Sequence, residues 1–359
     1  MNNDQNSKIK VEKHLIIGGG LAGICLAHRM EEAGKDFLII DSGVNHSTSI
    51  AAGMINPMVF RTMVKTWKAD ELFPELVQFY RHLEHKVNQT FLFKRDIHRV
   101  FSTAHESELW QTRLKEGTYD AYISPTPPKQ PNWLAAPFGA GKVLTPGYID
   151  SGLFLSSNHH YFQTKEKIVF TDFDVHQLDV DALTYKGKRY ASVTFCEGYR
   201  GKDNPYFGYL PLQQTKGEVL HIVSDDFDTK TILNRKCFVL PSHDCTFRLG
   251  ATFTWNTTDL TPTANAKKEL SDQLAQFSKA NYSIIDHKAG IRPTVTDRRP
   301  LLGEHPLHKG LYIFNGLGTK GYQLAPYFSA ELSAHILEGK DLSPEADIKR
   351  FYAKHFKQS

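Results

Sequence analysis

The stretch Gly18-Gly19-Gly20-Leu21-Ala22-Gly23 lies between the apolar residues 15–17 and a segment of helical character. In this spacing Gly18 allows a tight strand-to-helix turn, Gly20 lets the backbone approach a pyrophosphate, and Gly23 lets the helix pack closely on the strand. The helix N-terminus then offers N–H groups and a positive dipole end to phosphates. The stretch therefore predicts a βαβ unit that binds a dinucleotide.

An acidic residue ends the second strand of this unit. Asp41 follows the apolar residues 37–40 and lies roughly 20 residues beyond the glycines, the interval at which an acid meets the ribose. Its carboxylate is expected to accept hydrogen bonds from both adenosine ribose hydroxyls, which disfavours a 2′-phosphate. The motif by itself does not separate FAD from NAD.

Composition limits the class of protein. The chain has 359 residues, 40% hydrophobic and 23% charged, which is enough for one large domain or two intertwined ones. Its net charge of +4 is spread along the chain, so strong nucleic-acid binding is not indicated. The opening residues 1–10 lack the apolar core of a signal peptide, and no run approaches a membrane span. We expect a cytoplasmic protein without membrane contact.

The cysteines argue against disulfides and metal. The four residues, Cys25, Cys196, Cys237 and Cys245, contain no C-x-x-C pair, and two of them sit in patterns that suggest burial. Cys237 and Cys245 flank His243, but their spacing matches no zinc pattern. Reduced thiols and no metal site are expected.

The rest of the chain alternates between two kinds of segment. A loop of small residues, 42–57, would let a flat ring lie close to the backbone. Helices are predicted from apolar spacing and end signals at 69–87, 151–162, 264–279, 322–337 and from Ser343-Pro344-Glu345 onward. Strands are predicted near 91–93, 99–102, 168–175, 191–195, 218–223, 237–241, 246–252 and 311–315. The proline-rich residues 124–137 must form a loop, which indicates an inserted domain.

Four blocks together carry a family resemblance. They are the Gly18 to Asp41 unit, Ser49 to Pro57, Ala289-Gly290-Ile291-Arg292-Pro293 with Asp297 to Gly303, and Gly310 to Pro326. In this order they resemble the D-amino acid oxidase and glycine oxidase superfamily of FAD-dependent oxidoreductases. The turn 317–321 followed by Leu324-Ala325-Pro326 is most similar to the oxidase half of the bifunctional enzyme that matures methylaminomethyl-thiouridine at tRNA wobble positions. The match begins at about His14, so no counterpart of the methyltransferase half is expected here.

The resemblance implies an α/β fold with two interleaved domains. A Rossmann-like FAD-binding domain of the glutathione-reductase type would comprise residues 12–60, 140–205 and 286–359. An α+β substrate domain built on an antiparallel sheet would comprise residues 61–139 and 206–285. The isoalloxazine would lie between them, approached by the loop 51–54 and the turn 316–322.

The resemblance and the glycine motif together predict a set of cofactor-binding residues. Val175 would lie against the adenine, and residues 196–198 would pass near the non-covalently bound FAD. The full set is Gly18, Gly20, Leu21, Ala22, Gly23, Asp41, Ser42, Ser49, Ala52, Gly53, Met54, Val175, Gly198, Gly316, Gly318, Thr319, Lys320, Gly321 and Tyr322.

The chain departs from glycine oxidases at several positions. Where they tend to carry His and Tyr in a substrate-domain strand, this chain has Lys236 and Phe238. Where they carry Arg in the C-terminal turn, it has Thr319 with Lys320 beside it. These departures argue against glycine itself as the substrate.

Two cations are the candidate catalytic residues. Arg292 precedes a proline, which favours extended backbone, and its planar guanidinium suits bidentate capture of a substrate carboxylate. Its alternative is an ion pair that ties the domains together, for example with Asp297. Lys320 lies just before a helix and would favour negative charge on the N1 and C2 carbonyl side of reduced flavin, or bind a carboxylate. His243 and Tyr322 are weaker candidates for the pocket wall.

The leading hypothesis is an FAD-dependent oxidoreductase that acts on the C–N bond of a small amino acid or N-substituted glycine. Hydride would move from carbon to flavin N5, and water would hydrolyse the imine. The electron acceptor, O2 or another, stays open. The alternatives are a stand-alone oxidase that modifies tRNA wobble uridine and a non-catalytic flavin-binding protein. An NAD-dependent dehydrogenase is disfavoured because it leaves the C-terminal glycine-rich turn unexplained.

Overall fold

A computed structural model describes residues 13–44, 47–144 and 147–356. The polar opening residues 1–10 lie outside this part of the chain. The α-helices are α1 (Leu21–Glu32), α2 (Ser47–Ile50), α3 (Ala69–Val87), α4 (Ala104–Lys115), α5 (Ser151–Thr164), α6 (Ala264–Ala275), α7 (Gly321–Glu338) and α8 (Tyr352–His355). Short 3-10 helices cover Val175–Gln177, Gly198–Asp203, Gly318–Lys320 and Ile348–Phe351.

The strands form two large sheets and two small ones. The first half of the chain holds β1 (Lys13–Ile17), β2 (Phe37–Asp41), β3 (Met54–Ile55), β4 (Met58–Val59), β5 (Val64–Lys65), β6 (Leu92–Phe93), β7 (Asp96–Val100), β8 (Ile123–Ser124), β9 (Ala140–Val143), β10 (Gly147–Ile149) and β11 (Ile168–Phe170). The second half holds β12 (Leu178–Asp179), β13 (Thr184–Tyr185), β14 (Lys188–Phe195), β15 (Leu212–Val223), β16 (Thr231–Asn234), β17 (Phe238–Pro241), β18 (Phe247–Gly250), β19 (Thr254–Trp255), β20 (Ser283–Val295), β21 (Leu301–Glu304) and β22 (Leu311–Asn315).

The eight-stranded sheet contains the predicted βαβ unit. Strand β1 pairs in parallel with β2 on one side and β14 on the other, while β11 extends the sheet beyond β2 and β22 extends it beyond β14. Helix α1 connects β1 to β2 and packs against α7. The carboxyl ends of these parallel strands meet at one edge, where open α/β sheets bind their ligands. The predicted Rossmann-like fold class is confirmed.

The second large sheet is mostly antiparallel and has nine strands. Its order is β19-β15-β18-β17-β16-β7-β9-β8, and β20 lies along the other side of β15. The β15–β20 pair runs the full length of β15, from Leu212 opposite Val295 to Val223 opposite Ser283. Helix α6 packs on this sheet through Leu270. This is the predicted antiparallel sheet of the second domain.

The strand pairing differs from the predicted domain boundaries at two places. Strand β9 hydrogen-bonds to β7 and β8, and β20 hydrogen-bonds to β15, so both belong to the nine-stranded sheet. The predicted FAD-binding segments 140–205 and 286–359 contain all of β9 and most of β20. Boundaries drawn from motifs miss such pairing because the partner strands lie far away in the chain. The division into two domains otherwise stays a prediction.

Three predicted elements need correction. The strand predicted over 168–175 ends at Phe170, and Val175 begins a 3-10 helix. The helix predicted from Ser343 does not begin there: residues 344–346 form a turn and the 3-10 helix starts at Ile348. The helix predicted to end at 279 ends at Ala275.

Helix α3 packs between α5 and α7 in the largest apolar cluster. The buried Tyr80 of α3 donates its O–H to the carbonyl oxygen of Tyr322, 2.9 Å away, at the start of α7. This contact anchors the C-terminal glycine-rich turn against the core.

All four cysteines are free thiols. Within the described ranges, no helix is long and apolar enough to cross a membrane.

Candidate functional site

A cavity of about 540 Å³ lies where the two large sheets meet. Its walls come from the carboxyl ends of β1, β2, β14 and β22 and from β15, β17 and β20 of the nine-stranded sheet. The predicted cofactor-binding residues that line it are Gly18, Gly20, Leu21, Ala22, Asp41, Ser42, Ala52, Gly53, Met54, Gly198, Gly318, Thr319, Lys320, Gly321 and Tyr322. The cavity also includes the candidate catalytic residue Arg292.

Four predicted residues do not line the cavity. They are Gly23, Ser49, Val175 and Gly316. A Cβ on Gly23 would lie 1.9 Å from the carbonyl oxygen of Gly18, so this glycine acts by close packing of helix on strand, as its spacing predicts. Val175 is displaced because its strand ends early, and Thr171, Asp172 and Phe173 occupy that wall instead.

The glycine-rich turn after β1 has the geometry that its sequence predicts. Gly18 has φ +105°, and a Cβ there would lie 2.4 Å from the carbonyl oxygen of Cys196. The Asp41 carboxylate accepts hydrogen bonds from the amides of Gly19 at 2.5 Å and Gly43 at 2.6 Å. These contacts orient the carboxylate, and an ionised carboxylate retains acceptor sites for ribose hydroxyls.

The small-residue loop is held against the nine-stranded sheet by an arginine that the sequence analysis missed. Arg248 is buried and donates from Nη1 to the carbonyl oxygen of Ala51 at 2.8 Å and to Ser151 Oγ at 2.9 Å. Gly53 has φ +70°, and a Cβ there would lie 1.8 Å from the carbonyl oxygen of Ile149. The signal for Arg248 was a charged residue between the apolar Phe247 and Leu249 of a predicted strand.

Lys320 lies at the other side of the cavity, at the N-terminus of α7. Its Nζ donates to the carbonyl oxygen of Asn56 at 3.0 Å and to Thr66 Oγ1. Both acceptors are neutral, and burial lowers the pKa of Lys320 from 10.5 to about 8. The ammonium group has no anion paired with it among the described residues.

Arg292 is held in place by the nine-stranded sheet. Its Nη1 donates to the carbonyl oxygens of Thr252 at 3.2 Å and Lys216 at 3.4 Å. One face of the guanidinium covers Gly217, where a Cβ would lie 2.0 Å from Nη2, and its Cζ lies 4.3 Å from the centre of the Phe253 ring. Burial lowers its pKa to about 10. The Nε and Nη2 donors have no hydrogen-bond partner in the described part of the chain.

The predicted alternative, an ion pair between Arg292 and Asp297, does not form. Asp297 instead pairs with Arg350 Nε at 2.9 Å.

Of the weaker candidates, Tyr322 lines the cavity and donates its O–H to the carbonyl oxygen of Thr48 at 3.3 Å. His243 lies outside the lining and pairs with Asp150 at 2.8 Å. Of the two departures in the substrate-domain strand, Phe238 lines the cavity and Lys236 is exposed outside it.

A carboxyl group within the predicted stretch 196–198, which sequence reasoning did not single out, also lines the cavity. Glu197 follows β14, and its Oε2 accepts a hydrogen bond from Asn204 Nδ2 at 2.7 Å. Burial raises the pKa of Glu197 to about 7, an effect that the hydrogen bond and the charge of Arg200 only partly offset. Its residue type was visible in the sequence, but its burial was not.

The residues present suit a flavin dinucleotide. The glycine-rich turn and α1 offer a phosphate cradle at one end, the small residues 51–54 leave room for a flat ring, and the two cations Arg292 and Lys320 lack anionic partners within the described residues. Among residues 13–44, 47–144 and 147–356, no group of three or more acidic, His or Cys side chains could hold a metal ion.

Comparisons with known proteins agree with this geometry. The solved structure of glycine oxidase from Geobacillus kaustophilus has a TM-score of 0.76 and 19% identity, over 95% of this chain and 97% of that one. Iminodiacetate oxidase (IdaA) from Chelativorans sp. BNC1 also has a TM-score of 0.76 and 19% identity, over 94% of this chain and 98% of that one. At such identities the likeness shows a shared fold.

Sequence relatives extend the comparison. The tRNA 5-methylaminomethyl-2-thiouridine biosynthesis bifunctional protein of Campylobacter jejuni subsp. doylei is 23% identical over 316 residues, which cover 83% of this chain and 47% of that protein. The chain spans about half the length of the curated relatives it matches.

A family model separates FAD from NAD. The model described as FAD dependent oxidoreductase matches residues 13–335. It confirms the resemblance carried by the four sequence blocks and identifies FAD as the cofactor. The chain therefore belongs to this family of FAD-dependent oxidoreductases.

Proposed function

We propose that this protein oxidises the C–N bond of a small amino acid or N-substituted glycine. The observation that carries the proposal is the Arg292 guanidinium, which lines the cavity with two nitrogen donors that no described residue engages. Arg292 is partly buried, and a cation withdrawn from water without a counter-ion is costly, so such a group implies an anionic ligand. A planar guanidinium edge matches a carboxylate in bidentate geometry.

The walls around Arg292 suit the remainder of such a substrate. Val219 of β15 and Phe238 of β17, which lie on either side of β18, line the cavity and leave an apolar surface beside the charged group. A carboxylate bound by Arg292 would fix the position of the reacting carbon and nitrogen, which lie one and two bonds from the carboxylate carbon. An apolar wall at that point excludes water and disfavours the protonated amine. The site thus favours an amine that reacts in its neutral form.

FAD, when bound, accepts the hydride from the carbon next to the nitrogen. Gly18, Gly20 and Ala22 would hold its pyrophosphate and Asp41 its ribose. Lys320 would supply positive charge where the reduced ring becomes negative. We propose the other predicted lining residues as further contacts: Leu21, Ser42, Ala52, Gly53, Met54, Gly198, Gly318, Thr319, Gly321 and Tyr322.

The experiment is anaerobic reduction of the purified holoenzyme, followed by its visible spectrum. Glycine, sarcosine, D-amino acids and 5-carboxymethylaminomethyl-uridine are added in turn. Bleaching by an N-substituted glycine, lost in Arg292→Met and retained in Asp297→Asn, is the expected result. A flavin that none of these amines reduces would contradict the proposal and favour a non-catalytic flavin-binding protein. Admission of O2 with detection of H2O2 then tests oxygen as the electron acceptor.

A second candidate is oxidation of the same group within tRNA. The likeness to the bifunctional tRNA-modifying protein over 83% of this chain favours it. Its test is binding of unmodified and carboxymethylaminomethyl-modified tRNA at several salt concentrations. Phosphate contacts predict an affinity that falls steeply with salt. If the free nucleoside reduces the flavin and the protein has no measurable affinity for tRNA, tRNA is excluded as the substrate.

A further inference from the structure

Two large aromatic side chains lie exposed at the edge of the substrate end of the cavity. Phe253 is 57% exposed and Trp255 is 52% exposed, although most aromatic residues of the chain are buried. Phe253 lines the cavity directly, and Trp255 follows two residues later on the edge strand β19. Exposed aromatic rings beside a pocket are a feature of binding surfaces.

The strand register places both rings on the side of the sheet that carries Arg292. Trp255 and Arg292 are each directly opposite Thr215, on the two strands that flank β15. Residues directly opposite in antiparallel pairs project to the same face. Phe253 covers the Arg292 guanidinium, so it shares that face. The row Arg292, Phe253, Trp255 therefore leads from the half-buried cation to the edge strand β19.

We propose that Phe253 and Trp255 form an aromatic wall that selects amines whose nitrogen carries a flat ring. This inference rests on the proposed function, because it assumes that the substrate carboxylate binds Arg292. The group on the amine nitrogen then extends away from the guanidinium, along the row toward the open edge. A flat ring can stack on two exposed aromatic faces, which a methyl group cannot reach.

Trp255 provides the cleaner test of the wall. Phe253 also contacts the Arg292 guanidinium, so its removal would change carboxylate binding as well. Trp255 does not line the cavity, and among the described residues no cation–ring contact joins it to Arg292. Leu307 is a matched control, because it is 58% exposed and lies outside the cavity.

The experiment compares sarcosine, N-benzylglycine and N-(cyclohexylmethyl)glycine as substrates of the holoenzyme. Trp255→Ala is expected to raise KM for N-benzylglycine by roughly tenfold, the size of one aromatic contact, with kcat unchanged. Sarcosine kinetics stay as in the wild type, Trp255→Phe restores most of the loss, and Leu307→Ala has no effect. An equal loss for all three amines, or an equal KM for benzyl and cyclohexylmethyl groups in the wild type, would overturn the wall.

A binding measurement separates the wall from the chemistry. The thioethers (benzylthio)acetate and (methylthio)acetate place sulfur where the amine nitrogen would be and are used here as unreactive ligands. Their dissociation constants are read from the visible spectrum of the oxidised holoenzyme. Tighter binding of the benzyl compound, lost in Trp255→Ala, supports the wall even if no amine reduces the flavin. Equal binding of both compounds contradicts the wall even if sarcosine is oxidised.

Discussion

The two ends of the cavity are built in opposite ways. At the nucleotide end, Asp41 is already hydrogen-bonded to the amides of Gly19 and Gly43, all within one short stretch of chain. At the substrate end, Arg292 contacts the carbonyl of Lys216, 76 residues away in sequence, and keeps donors that the described residues do not engage. At the nucleotide end, the protein's own backbone orients the carboxylate that would meet the ribose. At the substrate end, the guanidinium has no anionic partner among the described residues, so we expect this end to determine substrate specificity.

The largest expected effect comes from removing the unpaired cation. Arg292→Met should lower kcat/KM for a carboxylate-bearing amine by about 10²–10³, the range for losing a charged, hydrogen-bonded partner in a buried site. FAD affinity should stay near the wild-type value, because Arg292 lies at the substrate end. Steady-state kinetics and FAD titration of the same preparation check both statements. Loss of FAD along with activity would show that the two ends are not independent.

The nucleotide end can be broken by one methyl group. Gly18→Ala should weaken FAD binding by about tenfold or more, because its Cβ would lie 2.4 Å from the Cys196 carbonyl oxygen and its φ is +105°. Gly34→Ala is the matched control, since Gly34 has φ +66° but no atom within 4 Å of its Cβ. Flavin fluorescence during titration measures both affinities. Similar losses in both variants would mean that backbone strain, and not the close approach, sets the effect.

Glu197 predicts a pH dependence of stability. Burial raises its pKa to about 7 from an ordinary 4.5, so the folded state holds the proton more tightly than the unfolded state. Its contribution is fully present below about pH 4.5 and is lost as the pH rises to about 7, by an amount on the order of 3 kcal/mol. Glu197→Gln should flatten this fall. Urea unfolding of the wild-type and Glu197→Gln holoenzymes from pH 5 to 8 measures the free energy of unfolding. An equal dependence on pH in the two proteins would contradict the prediction.

The smallest expected effect tests whether the position of the Arg292 guanidinium matters at the substrate end. Gly217→Ala would place a Cβ 2.0 Å from Arg292 Nη2, and the flexible guanidinium would move away. KM for the carboxylate substrate should rise several-fold, while the free energy of unfolding changes by less than about 1 kcal/mol. Gly152→Ala is the control, because its nearest contact is 3.4 Å from the added atom. If KM does not change, the position of the guanidinium does not determine carboxylate binding.

The cofactor end could be predicted well because its signals are local. The strand, the glycine turn and the helix are consecutive, and each glycine has a backbone reason that can be read from spacing alone. Val175, Ser49 and Gly316 are exceptions, because they do not line the cavity. The assignment of Val175 depended on where a strand ends, and β11 stops at Phe170, whose partner Asp41 is the last residue of β2.

The substrate end could be predicted only in part. The sequence pointed to Arg292 and Lys320 as cations, but it could not show that Arg292 has no ion pair with Asp297. Arg248 was missed and Glu197 was not singled out within residues 196–198, because what makes them notable is burial, which depends on distant strands. The aromatic pair was equally hidden, since exposure cannot be read from residue type.

By itself, the sequence determined the βαβ unit, the cofactor class through the family blocks, and the two cations. These depend on backbone conformation and residue chemistry, which are properties of short segments. Tertiary structure alone decided which groups share a face. Pairing of β15 with both β19 and β20 places Trp255 and Arg292 opposite the same residue, Thr215, although the three come from separate parts of the chain. Register between distant strands follows from packing of the whole sheet, and no local pattern specifies it.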